Sequence, residues 1–167
     1  MITVATAECF TLGKIGTTIH KIASGYEECK NHKYYNIING NVKIISSSFI
    51  PSIEGAEKLL NLGAPSLPKC DYEYNYSKAY TEKNDLKVAH ILAKGLKKSL
   101  NCNIAIATTA GVGRGGICII SDKNEYLFTT DIEGDLISKK NIIQRQKNGI
   151  DKTINKFVEI LKKEYFL

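Results

Sequence analysis

Apolar and polar positions along this chain switch between two periods, and the switches mark its elements. Ile2–Ala7 is a short, β-branched apolar run closed by Glu8, the pattern of a strand buried on both faces. From Ile15 the apolar positions recur at Ile19, Ile22 and Ala23, which is helical spacing. Thr11 stands where its N-cap would be and Gly25 where it would stop. Val42–Ile50 reads as a second strand closed by Pro51. Ser52–Leu62 reads as a helix capped by Ser52 and ended by Gly63. Gly63–Tyr80 carries two prolines and no helical period, so a long loop or irregular excursion is expected. Leu86, Ala89, Ala93, Leu96 and Leu100 form an apolar stripe that predicts a helix over Glu82–Leu100. Asn103–Thr109 follows as a strand, then a Gly-rich turn at Ala110–Gly116. Ile117–Ser121 and Tyr126–Thr130 form a hairpin around Asp122-Lys-Asn124. From Ser138, the positions Ile142, Ile150, Ile154, Phe157, Val158 and Leu161 predict one long amphipathic helix, with a kink expected at Gly149.

Strands alternating with helices, then a hairpin and a last helix, predict an α/β fold. The expectation is a three-layer mixed sheet with helices on both faces, in one domain over residues 1–167. Ligands in such sheets sit beyond the C-terminal ends of parallel strands. Two of those ends are Glu8-Cys9 and Ala110–Gly116, and the architecture is expected to bring them together.

Composition narrows the partners. The net charge of +6 favours anionic ligands. It is spread along the chain, densest over Lys139–Lys163, with no basic-plus-aromatic nucleic-acid module, so a nucleotide is expected and nucleic acid is not. The five cysteines are odd in number, irregularly spaced and without a CxxC pair. That speaks against a disulfide framework and a zinc site, and no metal is expected. Cys29 and His32 have metal-like spacing but lack a second pair. The opening MITVATAECF has no basic leader or cleavage site and is too short for a membrane span. A cytoplasmic, reducing location with free thiols and no membrane association is therefore expected.

Cys9 is the leading candidate for chemistry. A thiol reacts as thiolate, and a helix N-terminus lowers its pKa by favouring the anion. At a strand-to-helix turn Cys9 would sit at such an end, and the Phe10 and Thr11 amides could hold the oxyanion formed when it attacks a carbonyl. Glu8 could accept a proton or orient a neighbour, or simply cap the helix. His20 and His90 fall within helices at positions that need no function, so the sequence offers no Cys-His-Asp triad. Cys102 and Cys118 read as structural. Phe10, Gly13 and Lys14 of the same turn are candidates for substrate binding, as are Ala110, Gly111, Val112, Gly113 and Arg114 of the Gly-rich loop. Glycines let backbone amides approach a phosphate and Arg114 could clamp it, although the loop is no P-loop and could equally be a wide turn. Tyr72, Tyr74 and Tyr76 alternate and could stack on a base or form an edge strand or dimer contact. Asp131, Glu133, Asp135, Arg145 and Gln146 could line the pocket.

Two resemblances sharpen this. Ala5-Thr-Ala-Glu-Cys-Phe-Thr-Leu-Gly13 resembles the signature of the CinA C-terminal family, which includes nicotinamide mononucleotide deamidases. The similarity continues through Val88–Leu100, Ile104–Thr109 and the Ala110-Gly111 turn. In that family a serine stands where this chain has Cys9. The family's catalytic Tyr-Ser-Asn and following Lys have no clear match in Tyr34–Lys58, and Val112 replaces a proline. Over nearly its full length the chain is more similar to the HcgF-like family of methanogenic archaea, which serves biosynthesis of the iron–guanylylpyridinol (FeGP) cofactor of [Fe]-hydrogenase. This resemblance implies a CinA-like fold. It also implies that Cys9 takes up guanylylpyridinol as a thioester from an adenylylated donor made by a partner enzyme, releasing AMP. Guanylylpyridinol is then substrate and covalent adduct, no other cofactor is required, and a homodimer is expected. An acyl-adenylate carries a good leaving group, so a cysteine without a histidine suffices. The alternatives are a nucleotide amidohydrolase and a non-catalytic nucleotide-binding protein.

Overall fold

A computed structural model describes residues 1–62, 67–75 and 77–166. The main sheet has five strands in the order β2-β1-β5-β7-β8. These are β1 (Ile2–Glu8), β2 (Val42–Phe49), β5 (Ile104–Thr109), β7 (Gly116–Ile120) and β8 (Glu125–Phe128). Strand β1 runs parallel to β2 and β5, while β7 and β8 are antiparallel additions. Two small ladders stand apart: β3 (Tyr72–Tyr74) with β4 (Ser77–Ala79), and β6 (Val112–Gly113) with β9 (Gly134–Asp135).

Helices cover both faces. On one, α3 (Ile53–Leu59) and α4 (Glu82–Leu100) pack Ala56, Val88, Ala89, Leu92, Ala93 and Leu96 on Ala5, Ala7, Ala105 and Ala107 of the sheet. On the other, α1 (Lys14–Ala23) and α5 (Ile142–Ile160), with the four-residue α2 (Tyr35–Ile38), pack against Val4, Ile104, Ile106 and Ile119. The sheet therefore shows small residues to α4 and branched residues to α1 and α5. Ile15, Ile19 and Ile22 of α1 have no exposed surface. Burying each contributes roughly 1.5–3 kcal/mol, which is what holds α1 on its face.

The expected three-layer α/β architecture is present, and α4 has its predicted bounds. Ser52 caps α3, its hydroxyl accepting from the Gly55 amide at 3.0 Å. Gly25, at φ 74°, follows the end of α1 as expected. Two expectations are corrected, and the last helix is as long as expected. Gly13, not Thr11, is the N-cap residue of α1, and it takes the left-handed conformation at φ 76°. Helix α5 runs through Gly149 without a break and ends in a π-helical turn, Leu161–Tyr165. A Cβ at Gly149 would lie 2.6 Å from the Phe10 ring, so this glycine seats that ring. The region read as a loop before Tyr80 contains the β3–β4 hairpin; its Tyr76, and the Gly63 expected to end α3, lie outside the described residues.

The chain leaves β1 to one side for β2 and later returns to the other side as β5. The strand order thus reverses at β1, and the C-terminal end of β1 is where such sheets open a crevice.

Candidate functional site

Beyond the C-terminal ends of β1, β2 and β5 lies a cavity of about 460 Å³. Cys9 closes the end of β1, Ile50, Pro51 and Ser52 the end of β2, and Thr109, Ala110 and Gly111 the end of β5. Ala56, Leu67, Tyr80, Val88 and Leu92 supply apolar walls, while Glu54, Lys78 and Lys139 stand on its exposed edge. This is a volume suited to a small organic ligand. The predicted meeting of the two strand ends is present: the Cys9 amide donates to the Thr108 carbonyl at 3.0 Å, extending the β1–β5 ladder.

The pleat decides where each residue of the Glu8-Cys9-Phe10-Thr11 turn goes. Alternate residues of a strand face opposite sides. Ala5, Ala7 and Cys9 share the α4 side, which holds the cavity. Thr6 and Glu8 face α1. There the fully buried Glu8 carboxylate accepts four hydrogen bonds: from the Thr6 hydroxyl at 2.9 Å, the Thr11 hydroxyl at 2.6 Å, the Ile15 amide at 3.1 Å and the Gly16 amide at 2.8 Å. Glu8 thus satisfies the first free amides of α1. Thr11, also fully buried, holds Glu8 and shares a 2.8 Å bond with the Thr108 hydroxyl. Neither lines the cavity.

This arrangement overturns the expected acidic thiol. The α1 amides are engaged by Glu8 on the far side of the sheet, so they do not draw Cys9 toward its thiolate. Burial first, and the Asp85 carboxylate second, push the Cys9 thiol up to about 11, against a smaller opposing pull from Arg145. Among the described residues no protein acceptor takes the Phe10 and Thr11 amides, which leaves the expected oxyanion donors open.

The other candidates separate from Cys9. The Phe10 ring packs on Gly149 and lies 5.8 Å from the Arg145 guanidinium, and its carbonyl accepts from Gln146 at 3.0 Å. Gly13 is buried beside Phe49, and the exposed Lys14 reaches Gln146 at 3.4 Å. In the Gly-rich loop the amides meet protein acceptors: Gly111 donates to Asp85, Val112 to the Tyr80 carbonyl and Arg114 to Glu82. Its glycines serve packing. A Cβ at Gly111 would lie 2.4 Å from the Tyr80 oxygen, and one at Gly116 the same distance from the Asp85 oxygen. Gly113 pairs with Gly134. The loop is therefore a packed turn and not an open phosphate cradle; of its candidates only Ala110 and Gly111 line the cavity. The Arg114 guanidinium is exposed and paired to Glu82 at 3.0 and 3.1 Å. Arg145, 1% exposed, ties the loop from beneath, donating to the Gly111, Gly113 and Gly134 carbonyls at 2.8–3.0 Å. Neither arginine lines the cavity. Among the described residues no cluster of three or more His, Cys, Asp or Glu side chains could hold a metal ion. Among them, too, no helix is long and apolar enough to cross a membrane.

Over residues 1–161 the chain matches the family model of the FeGP cofactor biosynthesis protein HcgF. The chain belongs to the HcgF family. It is 98% identical over 167 residues to a UPF0254 protein of Methanococcus aeolicus, covering 100% of both chains. It is 56% identical over 170 residues to one of Methanocaldococcus jannaschii, covering 99% of this chain and 100% of the other. With a Methanopyrus kandleri relative the identity is 35% over 159 residues, covering 94% and 86%. Among solved structures it resembles the competence damage-inducible protein A of Klebsiella pneumoniae. That match has a TM-score of 0.60 and 12% identity, covering 98% of this chain and 88% of the other. A CinA superfamily protein of Enterobacter cloacae follows with a TM-score of 0.58 and 12% identity, covering 96% and 82%. At that identity the likeness shows the fold, which is CinA-like as expected.

In this HcgF-family chain the residue missed by sequence reasoning is Asp85. It is fully buried at the start of α4 and lines the cavity with Cys9. Its Oδ1 accepts from the Thr109 hydroxyl at 3.2 Å and its Oδ2 from the Gly111 amide at 2.8 Å. Burial raises its carboxyl to about 7, against those two hydrogen bonds and Arg145. The signal lay in the helix stripe: stepping back from Leu96 through Leu92 and Val88 by helical spacing lands on Asp85, a carboxylate on the core face.

Proposed function

We propose that the protein accepts an acyl group on Cys9 from adenylylated guanylylpyridinol, within FeGP cofactor biosynthesis. A bond forms between the Cys9 sulfur and the acyl carbon. The bond from that carbon to the adenylate oxygen breaks, AMP leaves with the electron pair, and the thiol loses its proton. The protein then carries the pyridinol acyl group as an activated thioester. The observation that carries this reading is the place of Cys9: a half-buried thiol lining an apolar cavity of about 460 Å³ at the switch point of the sheet. The leaving group is good enough that expelling it needs no acid, which suits a site with no histidine among its lining residues. Apolar walls keep water from the thioester. Lys139 on the exposed edge offers positive charge to a phosphate, while Lys78 beside it is paired with Glu54.

Intact-mass measurement after incubation with adenylylated guanylylpyridinol tests this, with Cys9→Ala alongside. The expected result is a mass gain equal to the guanylylpyridinyl acyl group, reversed by hydroxylamine and absent in the variant. An intact substrate with no gain in the wild type, or an equal gain in Cys9→Ala, overturns it.

A further inference from the structure

We propose that the Asp85 carboxylate is the base of this site, taking the proton of the Cys9 thiol as the sulfur attacks the acyl carbon. The inference rests on the acyl-acceptor reading and adds to it the group that makes the sulfur reactive. A thiol held mostly protonated at neutral pH reacts slowly unless its proton has somewhere to go.

The geometry narrows the choice. Among the described residues the titratable side chains lining the cavity are Cys9, Glu54, Lys78, Tyr80, Asp85 and Lys139. Glu54 and Lys78 are exposed and paired with each other at 2.6 Å. The Tyr80 hydroxyl donates to the Pro68 carbonyl at 2.8 Å, and burial pushes it up, away from service as a base. Lys139 is exposed. Asp85 is the buried carboxylate among them. A carboxylate has about four lone-pair sites. Thr109 and Gly111 take one on each Asp85 oxygen, which fixes the group and leaves each oxygen able to receive a proton. Among the described residues no hydrogen bond joins Cys9 to Asp85; catalytic contacts of this kind often tighten only when substrate is bound.

The charges facing the pair come from several elements. Asp85 raises the Cys9 thiol and Arg145 of α5 lowers it. Arg145 holds Asp85 down and Asp71 pushes it up. Asp85 in turn raises Tyr80. The Asp85 carboxyl at about 7 is close to the pH at which a base is most effective. In the proposed step the proton passes from sulfur to an Asp85 oxygen, the S–C bond forms, AMP departs, and Asp85 later gives the proton to solvent.

Asp85→Asn tests this because it keeps the shape. Its amide oxygen can accept from Gly111 and its amide nitrogen can donate to Thr109. Two rates are read from pH 5.5 to 8.5: thioester formation by intact mass, and iodoacetamide alkylation at Cys9 by peptide mass. The expected results move in opposite directions. Acylation falls at least tenfold at pH 7.5 and loses its rise centred near pH 7. Cys9 alkylation becomes faster, since the carboxylate that disfavours the thiolate is gone. Acylation kept within twofold with its rise intact overturns the proposal. So does a joint fall in both rates, which reports a merely structural role. A wild type that forms no thioester overturns the acyl-acceptor reading itself, whereas a fully active Asp85→Asn overturns this inference alone.

Discussion

Two carboxylates lie fully buried on opposite sides of the same sheet, and they are held in different ways. Glu8, on the α1 side, accepts four hydrogen bonds, two from hydroxyls and two from helix amides, and so fills the lone-pair sites a carboxylate has. Asp85, on the α4 side, accepts two and borders a cavity with a thiol. A buried charge that is fully hydrogen-bonded locks structure; one that is half satisfied beside a reactive group is the arrangement found at functional sites. The adjacent residues Glu8 and Cys9 thus do opposite things because the pleat sends one to the helix cap and the other to the cavity.

The comparison breaks most readily at Glu8. Glu8→Ala strands the Ile15 and Gly16 amides, each costing about 1–3 kcal/mol when unsatisfied, takes one of two partners from the Thr6 and Thr11 hydroxyls, and leaves a cavity. Relaxation recovers part of this, so the expected loss is roughly 4 kcal/mol, or a fall in melting temperature on the order of 10 °C. Thermal unfolding followed by circular dichroism checks it. A melting temperature within a few degrees of wild type would mean that the four-donor cap is not what anchors α1.

Asp85→Asn should act with the opposite sign and depend on pH. The folded-state carboxyl titrates near 7, above the ordinary 3.8. A raised carboxyl favours the protonated, folded form. Its contribution is complete below about pH 4, is lost as pH rises toward 7, and changes no further above that. Asparagine carries no such dependence. Relative to wild type the variant should therefore gain stability progressively between pH 4 and 7, reaching at most about 4 kcal/mol at pH 8. Urea midpoints at pH 5, 6 and 8 measure the trend. A stability difference that stays constant across that range would place Asp85 with Glu8 as a purely structural carboxylate.

How much of this could be read from the sequence divides along the same line. Elements set by local pattern were legible: the β-branched run of β1, the stripe of α4, the hairpin around Asp122-Lys-Asn124, the Ser52 cap and the Gly25 stop. The meeting of the β1 and β5 ends followed from topology. What depended on the facing of single residues was not legible from element boundaries alone. Placing Cys9 at the α1 end assumed that a turn residue feels the helix after it, whereas alternation from Ala5 and Ala7 carries it to the other face. Asp85 escaped because the stripe drawn through Leu86 and Leu100 was rotated from the buried one, which runs through Asp85, Val88, Leu92 and Leu96. The Gly-rich loop looked like a phosphate cradle. Its amides go instead to Asp85, Tyr80 and Glu82, partners brought near by α4 and its approach, far away in sequence.

The finest test of the pair acts on Asp85 through one neighbour. Thr109→Val is nearly isosteric and removes the hydroxyl that donates to Asp85 Oδ1. That bond favours the ionised carboxylate, so its loss should raise the Asp85 carboxyl further. The stability cost should be small, about 1 kcal/mol, since the Gly111 amide still holds the other oxygen. The informative change is in the pH profile of thioester formation. Its rise near pH 7 should move to higher pH by a fraction of a pH unit, with the plateau rate above it nearly unchanged. A plateau that falls while the midpoint stays would make Thr109 a contact for substrate and remove the titration of Asp85 from the reaction. A midpoint that moves while the plateau holds ties the proton of Cys9 to the carboxylate with two donors, on the cavity side of the sheet.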